Sequence, residues 1–136
     1  MKPRNSRCVA RFTGALRWIP IVIITPVAQG HHSFAAMYHE DQEVRIEAYV
    51  IQFVYKNPHS MLQLRATDED GAEQRWAVEW AGTLDLNKSG VKKNVLQPGV
   101  KVIVVGAPSR NKNDHRLRLK SIERLSDGWR WEWRQP

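Results

Sequence analysis

From Glu43 onward the chain alternates apolar and polar residues with period two. Val44, Ile46, Ala48 and Val50 alternate with Arg45, Glu47 and Tyr49, which predicts a strand with one buried face. The phase then slips by one residue, and Ile51, Phe53 and Tyr55 continue the apolar set on the other parity. A slip inside a strand predicts a β-bulge. Long, bent first strands of this kind suit small barrels, which need local curvature to close. Lys56-Asn57-Pro58-His59 breaks the strand, because Pro lacks a donor and Asn favours turns. Leu62, Leu64 and Ala66 alternate with Gln63 and Arg65 in a second strand. Thr67-Asp68-Glu69-Asp70-Gly71 is a polar turn with Gly available for positive φ. Trp76, Val78 and Trp80 alternate with Arg75, Ala77 and Glu79 in a third strand, so the second and third form a hairpin.

Residues 82–96 lose this alternation. Thr83 is placed to cap a short helix through Leu86 and Lys88, with Gly90 to end it. Gln97-Pro98-Gly99 is a turn, and residues 100–105 form a nearly continuous β-branched run that reads as a strand buried on both faces. Gly106-Ala107-Pro108 ends it. Leu117 and Leu119 alternate with Arg116, Arg118 and Lys120, and Ile122 resumes the apolar set after another slip. Asp127-Gly128 turns the chain into a short sixth strand, Trp129-Arg130-Trp131-Glu132-Trp133. Five short strands in about a hundred residues bury both edges only by closing or nearly closing. The expected fold is all-β: a small five-stranded, partly open barrel of the oligonucleotide/oligosaccharide-binding type, with a short helix between the third and fourth strands. A simple β-sandwich is the alternative.

The first thirty residues follow another rule. Lys2, Arg4, Arg7, Arg11 and Arg17 precede a short apolar run, residues 18–24, and Ala28-Gln29-Gly30 ends in small residues. Basic start, apolar centre and small-x-small end are the parts of a secretory signal, cleaved before His31. The apolar run is far below the ~20 residues that span a bilayer, so a permanent membrane helix is the weaker reading and no stable span is expected after processing. The organisation is then a signal at 1–30, a leader of the mature chain at 31–42, a barrel at 43–125 and an aromatic tail at 126–136. Removing the signal lowers the net charge from +7 to +2, since five of the 21 Lys and Arg leave and all 14 Asp and Glu remain. A basic footprint for nucleic acid should belong to the folded domain, and here it mostly does not. Cys8 leaves as well, so the mature chain has no thiol for a disulfide, a metal or catalysis. That suits a periplasmic or secreted location.

His31-His32-Ser33-Phe34-Ala35-Ala36, the turn Asn57-Pro58-His59, the strand Trp76-Ala77-Val78-Glu79 and the turn Leu96-Gln97-Pro98-Gly99 together resemble a family of exported bacterial proteins of unknown function. The resemblance covers nearly the whole mature chain. It implies export and a small barrel, and it supplies no activity. Relatives tend to have acidic residues near Met37 to His39, where this chain has Met37-Tyr38-His39, and a Gly-Trp pair where Gly90-Val91 stands.

Histidine carries the candidate chemistry. Cleavage before His31 leaves an amine and an imidazole on one residue, and His32 or His59 can add further nitrogen. Such donors suit Cu(II), Ni(II) or Zn(II), copper most tightly, and an α-amine of pKa about 7.7–8.0 deprotonates near neutral pH. Cleavage one residue earlier makes Gly30-His31-His32, a square-planar copper or nickel chelator. The plain alternative is a solvated His-His tail, with His59 bonded inside its own turn; His39 and His115 read as surface residues. Trp76 and Trp80 read as core. Trp129, Trp131 and Trp133 share one side of the last strand, and either pack on the barrel or present a patch for a partner, sugar or base. Arg110, Lys112, Arg116, Arg118 and Lys120 read as a solvated face, and export argues against a nucleic-acid partner. Glu47, Glu73, Glu79 and Asp85 read as solubilising charges. No motif for catalysis appears, so the sequence reads as a binding or accessory protein, not an enzyme; a redox or hydrolytic enzyme built on the metal is the most distant reading.

Overall fold

A computed structural model describes residues 31–68 and 70–133. The secretory signal expected at 1–30 lies outside the described residues. The elements run α1 (His31–Met37), β1 (Val44–Val54), β2 (Met61–Thr67), β3 (Glu73–Glu79), α2 (Thr83–Lys88), β4 (Lys101–Pro108), β5 (Arg116–Arg124) and β6 (Trp129–Glu132). All six strands form one sheet in the order β3-β2-β1-β4-β5-β6. A parallel ladder of Ala77–Glu79 with Arg116–Arg118 joins β3 to β5 and closes the first five strands into a barrel. The barrel is therefore closed, one step beyond the partial opening expected, and β6 is an extra strand on its outside edge.

Both phase slips have structural counterparts. In β1 the register against β2 shifts between Val50 and Gln52, with Ile51 the extra residue. That bend lets one eleven-residue strand pair with β4 through its first half and with β2 through its second. In β5 the register against β4 passes from Ser121 to Leu119, leaving Lys120 extra. Opposite this bulge stands Gly106, where a Cβ would meet the Arg118 carbonyl oxygen at 2.5 Å. Only a residue without a side chain lets the two backbones come this close.

The inward sets of the strands make one core: Ala48, Val50, Leu62, Leu64, Val78, Trp80, Val102, Val104, Leu117, Leu119 and Ile122. Leu86 of α2 and Val91 after it are buried in the same cluster. The helix starts one residue earlier in its capping frame than expected. Gly82 is its N-cap and Thr83 its first residue. The Thr83 N–H is satisfied from afar, by Asn57 Oδ1 at 2.9 Å.

Candidate functional site

β5 shares one of its edges between two partners. β3 pairs with it as far as Arg118, and β6 begins pairing at Ser121. The two strands diverge from this point. β3 ends at Glu79 and runs through Trp80-Ala81 into α2, while β6 runs on to Trp133, whose N–H donates to the Lys120 carbonyl at 2.8 Å. Between them is a cleft of about 150 Å³, lined by Trp80, Ala81, Arg118, Leu119 and Trp133, with Phe34, His59, Glu79 and Asp85 completing its walls.

The leader supplies Phe34. Phe34 and Tyr38 are four apart and so share one face of the helical turn. Tyr38 is fully buried and bridges to Ser109, while Arg110 N–H donates to the Met37 carbonyl at 2.9 Å and His39 N–H to that of Pro108 at 2.9 Å. Side chains fasten the same segment. Arg110 Nε donates to the Ala35 carbonyl at 2.8 Å, Arg118 pairs with Glu40, and Lys120 reaches Glu40 O, Gln42 O and Glu43 Oε1 at 3.0–3.2 Å. These three cations therefore bind the leader to the barrel instead of forming the solvated face expected of them.

The loop after β1 supplies His59. Its Asn57–Pro58 peptide is cis. Asn57 Oδ1 also accepts from the Thr83 hydroxyl at 2.9 Å. Ser60 N–H donates to Ala81 O and Trp80 N–H to Ser60 O, at 3.1 and 2.8 Å. Gly82 permits this contact, since a Cβ there would lie 2.5 Å from the Pro58 carbonyl oxygen. The result sets His59 against Glu79. Its Nδ1 lies 2.6 Å from Glu79 Oε1, and the Tyr38 hydroxyl donates to Glu79 Oε2 at 2.6 Å. An ionised carboxylate only accepts, so Nδ1 carries the proton, and in the neutral ring Nε2 keeps the lone pair that accepts a hydrogen bond or binds a metal. The Glu79 side chain is 12 % exposed and that of His59 37 %, so the chain of bonds runs from the interior to the cleft. Burial first, and then the Glu79 carboxylate, raise the Tyr38 phenol well above its ordinary range.

Two further groups complete the electrostatics. The Arg118 guanidinium lies over the Phe34 ring at 4.1 Å and 5.8 Å from that of Trp133, and its burial lowers its pKa. The Trp80 indole Nε1 is buried and has no acceptor among the described residues. Leaving such a donor unsatisfied costs about 1–3 kcal/mol.

Of the residues singled out in the sequence, His59 and Trp133 come together at this cleft. His31 and His32 form the first turn of α1, one turn before Phe34, whose ring lies 4.9 Å from that of His59. Trp129 and Trp131 are partly buried against the core. Trp131 packs on Trp80 at 5.0 Å, its indole donating to Ser89 Oγ at 3.1 Å, and Trp129 lies under Arg124 at 5.4 Å; neither lines the cleft. His39 Nδ1 meets Arg110 Nη1 at 3.3 Å, and His115 stacks on Trp76 at 4.9 Å. Among the described residues no three His, Cys, Asp or Glu are grouped to hold a metal ion. Sequence reasoning missed Glu79, Tyr38, Phe34 and Arg118 as a group. Glu79 is the clearest correction: it faces outward as its parity requires, but that face is largely covered by the leader, so it is a hydrogen-bonded partner and not a solubilising charge. The available signal was the four-residue spacing of Phe34 and Tyr38.

A family of unknown function, DUF6152, matches residues 20–118. That span contains the leader, the loop of His59, Glu79 and Arg118, but not Trp133. No curated protein matches the chain.

Proposed function

The chain belongs to the DUF6152 family of unknown function, and from that premise we propose that it is an exported small-barrel binding protein whose ligand sits in the cleft at His59. Export is supported by the basic start, the short apolar run and the small residues before His31. Binding is supported by one observation, the Tyr38–Glu79–His59 chain. A polar network drawn partly out of water is costly unless its members are satisfied, and apolar residues serve stability as well. Here three separate segments of the chain build such a network, and its outcome is an oriented imidazole on a cleft. Carboxylates that fix a histidine in this way are a recurring support for metal-binding rings.

The test is to purify the protein natively from the extracytoplasmic fraction and compare its native and denatured masses. The expected product starts near His31 and carries extra mass that is lost on denaturation and is missing from His59→Ala. A product that retains residues 1–30, or a native mass equal to the denatured one, is the contrary result.

One observation favours a metal as that ligand. Glu79 occupies His59 Nδ1 and leaves Nε2 to coordinate, while His31 and His32 precede Phe34, whose ring packs at a tilt against that of His59. Copper would then take His59 with the imidazoles of His31 and His32 or the terminal amine. Calorimetry with Cu(II) should show tighter binding by the processed native chain than by His31→Ala/His32→Ala or by His59→Ala. Equal affinities in all three remove the copper reading.

A further inference from the structure

We infer that the cleft between β3 and β6 takes a small carboxylate with a compact apolar body; the inference rests on the cleft being the ligand site.

Size and walls define the body. A cavity of about 150 Å³ with apolar walls accommodates a benzene-sized group, and this cleft has that volume. Phe34, Trp80 and Trp133 give it three aromatic walls, with Ala81 and Leu119 between them. Apolar walls with a few convergent polar groups are the usual form of a small-molecule site.

The polar groups define the head. Trp80 is 3 % exposed, and its Nε1–H, which can only donate, has no acceptor among the described residues. Buried donors are rarely left in that state. Arg118 has five N–H donors, and its side-chain pairing among the described residues is through Nη1 to Glu40. Glu79 uses one oxygen for His59 and the other for Tyr38. Asp85 is 70 % exposed, so water screens its charge, and its Lys88 partner lies 3.9 Å away. The unpaired indole N–H and the guanidinium select a ligand that accepts. The guanidinium selects a carboxylate over a neutral carbonyl, because its planar fork matches that group and the charge strengthens each bond. Glu40 already places a carboxylate on Arg118 from the outer side.

The probes are benzoate, benzyl alcohol and benzylammonium, titrated at millimolar concentration into the exported, processed protein. The Trp80 indole N–H resonance, assigned with Trp80→Phe, reports occupancy. Benzoate should shift it saturably, benzyl alcohol should bind about tenfold more weakly or less, and benzylammonium should leave it unmoved. Arg118→Lys keeps the charge but loses the fork, and should weaken benzoate. Trp80→Phe keeps a ring but removes the donor, and should weaken benzoate about tenfold, the worth of one hydrogen bond to a charged group, read from the His59 and Trp133 signals. Equal binding of benzoate and benzyl alcohol, or unchanged benzoate affinity in both folded variants, overturns the inference. If benzoate fails while the co-purified mass still depends on His59, the carboxylate falls and the cleft reading stands. If neither is seen, both fall.

Discussion

Along its β4 edge, β5 makes one antiparallel ladder of seven residue pairs, interrupted once by the bulge at Lys120. Along its other edge, three parallel pairs to β3 give way to four antiparallel pairs to β6. Leu119 and Lys120 lie where neither strand takes the ladder. The first edge is backed by Val102, Val104, Leu117 and Ile122, all fully or nearly fully buried. The second edge brings together Glu79 and Arg118, which are register partners on its last parallel rung. A continuous ladder leaves no room between strands, so chemistry cannot collect there. A divided edge opens a wedge, and the wedge is where the histidine, the indole and the guanidinium meet.

The sharpest way to break this comparison is to damage each side and ask whether the other responds. Leu64 is fully buried on β2, one strand removed from the divided edge, with β3 between them. Leu64→Ala should cost about 2–5 kcal/mol, seen as a lower urea midpoint with an unchanged slope. The His59 and Trp80 resonances should stay in place at temperatures where the variant is folded. If the cleft signals are lost first, the two regions are not separable. Gly106→Ala strikes the hinge between them. Its new Cβ would meet the Arg118 carbonyl oxygen at 2.5 Å, so β5 must shift at its bulge. Overpacking of this kind costs about 1–3 kcal/mol. Unlike Leu64→Ala, it should also move the His59 and Trp80 signals, because Arg118 belongs to both sides.

The same contrast separates what the amino-acid pattern reveals from what it hides. Strand positions follow directly from alternation, and the slips at Ile51 and between Leu119 and Ile122 mark the two bulges. These are local properties, written in neighbouring residues. The parallel closure of β3 on β5 is not local. It joins residues about forty positions apart, and nothing in either strand announces it. Alternation also states only that Glu79 points out of the barrel. Whether outward means water depends on what lies over that face, and a seven-residue helix with no acidic first turn and no basic last turn gives little warning that it will cover it. His59 stood out because it interrupts a strand. Its partner, twenty residues later, looked like any charged residue on an exposed face.

Tyr38 offers a smaller test of the divided edge. Tyr38→Phe keeps the ring but leaves the Glu79 carboxylate one donor short, which should cost about 1–2 kcal/mol at neutral pH. The pH dependence gives the sign. Folding raises the phenol's pKa above its ordinary value, so the neutral form is favoured in the native state. Its contribution is complete below about pH 10, where the unfolded phenol is also protonated. It is lost as pH rises beyond that, because only the unfolded chain ionises, by up to about 1.4 kcal/mol per pH unit. The native chain should therefore weaken more steeply than Tyr38→Phe above pH 10 in urea titrations. Parallel curves would mean that the phenol is not held neutral by its surroundings.

The smallest effect belongs to the turn that brings β6 onto the edge. Arg124 holds both oxygens of Asp127, Nε to Oδ1 at 2.8 Å and Nη2 to Oδ2 at 2.7 Å, and Trp129 N–H donates to Oδ1 at 3.2 Å. The Arg124 hydrogen bonds, followed by that from Trp129, lower the Asp127 pKa to about 2. A depressed carboxylate stabilises the fold above its unfolded value of about 3.9, and that contribution disappears as pH falls through the folded value. Asp127→Asn should thus flatten the acid limb of the stability curve between about pH 4 and pH 2 and leave the alkaline limb unchanged. Since the pair is exposed, salt should shrink the difference. The cleft gives the more telling readout. If β6 only supplies one wall through Trp133, loosening the turn should broaden the Trp133 signal while the His59–Glu79 contact, built from other segments, persists at neutral pH. Loss of both together would show that β6 holds the whole site and that the divided edge acts as one unit.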